Sequence, residues 1–108
     1  MPLVTVKVPF EKLAVIDWGD CAINHARIDL APKAIEDEAS FIVNSGAHLM
    51  TLGGDHSITL PLLRAHHARH GKLALVQFDA HQDTWDDDGS KMSHGTFVTR
   101  AVAEGLID

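Results

Sequence analysis

Basic residues are scarce in this chain. Nine Lys and Arg stand against 15 Asp and Glu in 108 residues, a formal charge of −6 with histidine neutral. A net acid lacks the positive footprint that grips phosphate backbones, which argues against nucleic acid as a partner. Cysteine is nearly absent: Cys21 alone closes no intrachain disulfide and fits a reducing cytoplasm. No apolar run approaches a membrane span, since the longest, residues 58–63, contains Pro61 and stops at Arg64. The opening Met1-Pro2-Leu3-Val4 has no basic stretch ahead of an apolar core, so it does not read as a signal peptide. Internal repeats and low-complexity segments are also missing. Hydrophobic residues at 45% and charged residues at 22% are those of an ordinary globular chain, long enough for one small domain. These exclusions leave a soluble, acidic, intracellular domain, or a piece of one, that meets no membrane.

What is present is an alternation of short apolar runs and helical patterns. Residues 1–12, with Pro2 and Pro9, read as an irregular lead-in. L-A-V-I-D-W (13–18) predicts a buried strand bounded by Gly19, and residues 20–31 a loop. From Pro32, apolar Ile35, Ala39, Ile42 and Val43 recur at helical spacing until Gly46. Residues 48–52 predict a second strand, broken by Gly53-Gly54. Ser57 reads as the N-cap of a helix running to about His70, closed by Gly71. L-A-L-V-Q-F (73–78) is apolar almost throughout, as a strand covered on both faces requires. An acidic loop spans 79–92, and a last helix runs from Thr96 to about Glu104. This order predicts an α/β chain built of βαβ units, with a mostly parallel sheet between two helical layers. Three strands make a narrow sheet with exposed edges, and the chain stops after a helix where another strand is expected. The expectation is therefore a single, incomplete domain over 1–108.

Ligands of such sheets bind beyond the carboxyl ends of the strands, and the two most polar clusters fall there. In extended backbone Asp79, His81 and Asp83 share a side, so two carboxylates and an imidazole converge. That donor set suits a fairly hard divalent ion, Mn²⁺ more than Zn²⁺. The same residues read equally as an acidic turn that caps neighbouring backbone. In Gly53-Gly54-Asp55-His56-Ser57 the glycines permit a tight turn; His56 is either a further ligand or a histidine satisfied by backbone, and Asp55 either orients a neighbour or caps the helix. Phosphate binding there is disfavoured by Asp55. His94, in Ser93-His94-Gly95-Thr96, opens the last helix and is placed to move protons into the same crevice, though a surface histidine is the ordinary alternative. Asp86-Asp87-Asp88 is either a solvated loop or an electrostatic lure for a cation, with Trp85 beside it offering a cation–π face. His66, His67 and His70 read as a polar helix face, and Cys21 has no evident activating partner.

G-G-D-H-S, then D-A-H-x-D after an apolar strand, then S-H-G-T, in that order and spacing, resemble the ureohydrolase family of arginase, agmatinase and relatives. The resemblance runs from about Leu13 to the C-terminus, and residues 60–66 and 104–108 look most like its bacterial agmatinase branch. It implies an arginase-like three-layer α/β/α domain with a binuclear manganese centre. By position it makes His56 and Asp83 ligands of one Mn²⁺, His81 a ligand of the other, and Asp79 the bridging carboxylate. It makes His94 the acid–base group near the substrate, and Trp85 and Asp86 substrate-loop candidates. The implied reaction releases urea from a small cationic guanidino compound. Agmatine is favoured by the acidic, aromatic loop; guanidinobutyrate or an arginase-type substrate is the alternative. Family members commonly form homo-oligomers. The family's later D-x-D-x-x-D-P motif and its still later glutamate do not occur in these residues. Asp86 and Asp88 share the first spacing but follow no strand and precede no proline. The expectation is thus weak Mn²⁺ binding and little activity for the 108 residues alone. A reading of another class is a non-catalytic remnant that binds metal or pairs with intact subunits through its sheet edge.

Overall fold

A computed structural model describes residues 9–108. Among the described residues four α-helices follow in order: α1 (Pro9–Lys12), α2 (Ala31–Asn44), α3 (Thr59–His70) and α4 (Phe97–Ala103). The expected lead-in is therefore one helical turn at its described end, and residues 1–8 lie outside the described part. Helix α2 begins with Pro32 in its first turn, where a missing N–H costs nothing. It buries Ala39 and Val43, one turn apart, against α3. Before α3 the expected cap moves by two residues. Asp55, in extended backbone, accepts the Ser57 N–H at 2.7 Å and opens a 3₁₀ turn, His56–Ile58, that leads into the helix. The Ser57 hydroxyl first, and then its N–H, hold the Asp55 carboxyl below the usual range.

The core lies between α3, α4 and the chain's last residues. Leu60, Leu63, Phe97, Ala101, Leu106 and Ile107 form it, with Leu73, Leu75, Met92 and Val98 packed partly against it. Leu73 joins Ile107 in a parallel bridge, its N–H donating to the Leu106 carbonyl at 2.9 Å.

The expected parallel sheet does not form among the described residues; that bridge is the only pairing. Residues 13–18, 48–52 and 73–78 lie outside any strand. Beyond that bridge these apolar runs have no paired neighbour among the described residues, and a ladder needs backbone about 4.8 Å away. Residues 73–78 still show the alternation of an extended segment. Leu73, Leu75 and Gln77 are partly covered, while Ala74, Val76 and Phe78 are exposed, Phe78 at 98%. One face meets the helices; the other stays exposed among the described residues.

Charges tie the helices together. The Arg64 guanidinium donates to Glu104 at 2.8 and 2.5 Å and stands 4.0 Å from Glu36, linking α3 to both neighbours. It holds the Glu104 carboxyl below the usual range. A folded-state pKa below the unfolded one gives stability that is present at neutral pH and lost as pH falls through the folded value. Glu104→Gln is expected to lower the melting temperature at pH 7 and to flatten its decline between about pH 5 and 3. Thermal melts monitored by circular dichroism across that range check it; parallel curves for both proteins would refute it. Asp79 and Asp87, shifted the same way, keep part of the slope in either protein.

Candidate metal centre

The site is built where residues 73–78 run out and α3 begins. Gln77 is the last partly covered position of the alternating face, so its amide points where Leu73 and Leu75 point. It donates to Asp83 Oδ2 at 3.0 Å, to Asp79 Oδ2 at 3.3 Å and to the His81 carbonyl at 3.2 Å. Asp79 turns back to accept the His81 N–H at 2.9 Å, which is the main reason its carboxyl stays below the usual range. Asp83 adopts φ +54°, a left-handed conformation that Asp and Asn tolerate better than most residues. The kink buries its side chain and lets its carbonyl accept the Val98 N–H at 3.3 Å, fixing it to α4.

His56 comes from the 3₁₀ turn after Gly53. Gly53 lets Ile58 pack closely: a Cβ there would lie 1.9 Å from Ile58 Cδ1, and that side chain would have to move. The imidazole packs on Phe97, ring centroids 4.5 Å apart. Its Nδ1 stands 2.9 Å from Asp79 Oδ2 and 2.8 Å from Asp83 Oδ2. The three residues offer ligand atoms all within 4.8 Å of one another. Donors about 2.1 Å from a shared ion and at right angles stand about 3 Å apart, so this set fits a divalent cation. One imidazole and two carboxylates without thiolate are donors for a hard to borderline divalent cation.

The structure thus brings together His56, Asp79 and Asp83. It leaves His81 beside them, its side chain 78% exposed and its Nδ1 3.6 Å from Asp79 Oδ1. His81, Asp83, Trp85, His94 and Gly95 line a cleft of about 170 Å³. His94 meets Trp85 edge-on, centroids 6.2 Å apart, and stays exposed. The acidic run divides: Asp87 pairs with Arg100, Asp88 accepts from the Ser90 N–H and hydroxyl, and Asp86 makes no such contact among the described residues. The Cys21 thiol is pushed up to about 11 by burial and by a hydrogen bond with Glu38, which keeps it in the thiol form at neutral pH.

Two positioning features escaped the sequence reading. Gln77 was hidden in an apolar run, although it is the one polar residue on the inward period-2 face. Gly95 has a steric role: its missing Cβ would sit 2.6 Å from Trp85 Cε3, and its carbonyl accepts the Trp85 N–H at 2.9 Å. Gly95→Ala is expected to displace the indole and to cost about 1–3 kcal/mol through overpacking. Tryptophan emission in a Trp18→Phe background should shift to the red, and an unchanged spectrum would show that Trp85 does not depend on Gly95.

Comparison with known proteins gives the family. The sequence profile of the Arginase family matches residues 2–108. An agmatinase of Chromobacterium violaceum is 52% identical over 103 residues, 93% of this chain and 32% of that protein. A guanidinobutyrase of Pseudomonas aeruginosa is 48% identical over 107 residues, 98% of this chain and 34% of its own length. A crystal structure of a hypothetical agmatinase from Burkholderia thailandensis superposes with a TM-score of 0.88 at 50% identity, covering 93% of this chain and 32% of that one. The fold is therefore arginase-like, and the chain spans about one third of the length of these relatives. With the profile matching nearly all of its residues, the chain belongs to the Arginase family.

Proposed function

We propose that these residues carry the first metal ligands and the substrate loop of a manganese-dependent hydrolase that cleaves a C–N bond of a guanidino compound, converting agmatine to putrescine and urea. The observation that carries this is the convergence of His56, Asp79 and Asp83 in a chain of the Arginase family. His56, Asp79 and Asp83 would hold Mn²⁺, with His81 a donor to a second ion on the open side. Two such ions would supply a nucleophile at neutral pH and electrostatic stabilisation at the guanidinium carbon, a poor electrophile because resonance spreads its charge. Gln77 keeps both carboxylates aimed at that point. His94, at the cleft, passes a proton to the departing amine nitrogen. Asp86, with no cation beside it among the described residues, receives the second amine of agmatine while Trp85 covers its alkyl chain.

The three apolar runs become strands of a parallel sheet in the longer family domain, inside a cytoplasmic homo-oligomer. Guanidinobutyrate is the second reading, favoured by the Pseudomonas aeruginosa relative. By themselves the 108 residues release little or no urea, because no D-x-D-x-x-D-P motif lies within them.

The test is a chimaera in which residues 9–108 replace the matching third of the Chromobacterium violaceum agmatinase, loaded with Mn²⁺. Urea should form from agmatine faster than from guanidinobutyrate or arginine, and Asp86→Asn should raise KM for agmatine. A folded, metal-loaded chimaera that releases urea from none of the three would overturn the proposal, and a preference for guanidinobutyrate would establish the second reading.

A further inference from the structure

We propose a second metal site, separate from the first and made of imidazole: His66 and His70 on α3 bind a borderline divalent cation of the Zn²⁺, Ni²⁺ and Cu²⁺ class. The two residues are one helical turn apart and share a face. Their rings are stacked, centroids 6.4 Å apart and planes inclined by 30°. His66 Nδ1 lies 2.8 Å from the Leu62 carbonyl. A carbonyl only accepts, so Nδ1 carries the proton and Nε2 presents the free lone pair. This is the arrangement in which an outer hydrogen bond fixes the tautomer and orientation of a ligating histidine.

The surroundings favour a cation. Both rings line a cleft of about 280 Å³ together with Val43, Gly46, His48 and Leu49. Val43 lies in the last turn of α2 and Gly46 just past its end, and His66 and His70 lie at the end of α3, so two helices direct their C-termini here. Helix C-termini carry partial negative charge and stabilise cations, which disfavours an anion as the occupant. Arg69 also lines the cleft, but its Nη1 donates to the Asn44 carbonyl at 3.4 Å, at the end of α2. His48 adds a third imidazole to the lining. Imidazole without carboxylate selects the later first-row ions, whereas His56, Asp79 and Asp83 suit Mn²⁺, so the two sites differ in metal as well as place.

The full chain carrying Asp79→Asn and Asp83→Asn, which silence the carboxylate site, is titrated with Ni²⁺ by calorimetry. One Ni²⁺ per chain is expected. Adding His66→Ala or His70→Ala should weaken binding about tenfold or more, a loss that even an outer partner of a ligand typically causes. Adding His67→Ala, adjacent on α3 but outside the pair, should leave the affinity within about twofold, and circular dichroism should show equal helix content in all variants. Absence of Ni²⁺ binding in the Asn background, or equal losses for His67→Ala and His66→Ala, would overturn the site.

Discussion

Asp83→Asn is expected to lower Mn²⁺ affinity by about 100-fold or more while leaving the chain folded, because it removes a direct ligand where loss of an outer partner alone costs about 10- to 100-fold. Asp83 is the best fixed of the three donors. Its side chain is 8% exposed, against 22% for Asp79 and 37% for His56. Gln77 restrains its carboxylate, and its carbonyl is bonded to α4. Asparagine keeps the shape, accepts the φ of +54° and can still receive the Gln77 donor through its carbonyl oxygen, so the change isolates charge from structure. Alanine would confuse the two by straining the backbone.

The stability readout separates ligand from structural residue by its sign. Without metal, Asp79 and Asp83 are two carboxylates facing one imidazole, and removing one charge relieves repulsion. The Asn variant should then melt no lower than the parent when both are metal-free. With Mn²⁺ at 100 times its dissociation constant the parent gains about 2.7 kcal/mol, and the variant should gain almost none of it. Thermal melts with and without Mn²⁺, beside a calorimetric titration, give both numbers. Equal stabilisation of the two proteins would remove Asp83 from the ligand set. A variant that melts far lower even without metal would make it a structural residue of the loop.

The helices were legible in the sequence because their signals are local. Pro32 and the spacing of Ala39 and Val43 mark α2, and Gly71, with φ +78°, closes α3. The cap of the 3₁₀ turn before α3 was harder, since Asp55 and Ser57 both have capping side chains and only the extended backbone at Asp55 decides between them. The strands failed for a non-local reason. Residues 73–78 have the apolar content of a central strand, but hydrogen-bonded pairing depends on backbone elsewhere, and Val76 and Phe78 have no neighbour among the described residues. Of the four proposed ligands, three converge because the turn after Gly53 and the kink at Asp83 bring them to one point. Neither turn is encoded in a period-2 pattern, which places His81 beside Asp79 and Asp83 and cannot show its ring pointing outward. Gln77 and Gly95 were missed for a related reason: each acts through a contact with a residue several positions away.

Phe97→Ala should be the most destabilising single change in the described residues, at about 3–5 kcal/mol. The ring is fully buried among Leu60, Leu63, Ala101, Leu106 and Ile107, so its removal leaves a cavity that a helix of seven residues cannot refill. For a chain of about 100 residues each kcal/mol is worth about 4–8 °C, so the melting temperature should fall by more than about 12 °C. Phe97 also supports His56, whose imidazole rests on it, and the metal site should loosen as well. Phe97→Leu separates these effects. It keeps much of the apolar volume at a cost of about 1.5 kcal/mol, yet loses the flat ring beneath the imidazole. Its folded form should bind Mn²⁺ several-fold more weakly than the parent. Leu63→Ala is the control: it costs about 2–5 kcal/mol in the same core without removing the ring under His56. Measured well below each melting temperature, its Mn²⁺ affinity should match the parent. If Leu63→Ala and Phe97→Leu weaken Mn²⁺ binding equally, the core acts on the site only through overall stability. If Phe97→Leu alone does so, this one aromatic residue couples the packing of α4 to the orientation of a ligand.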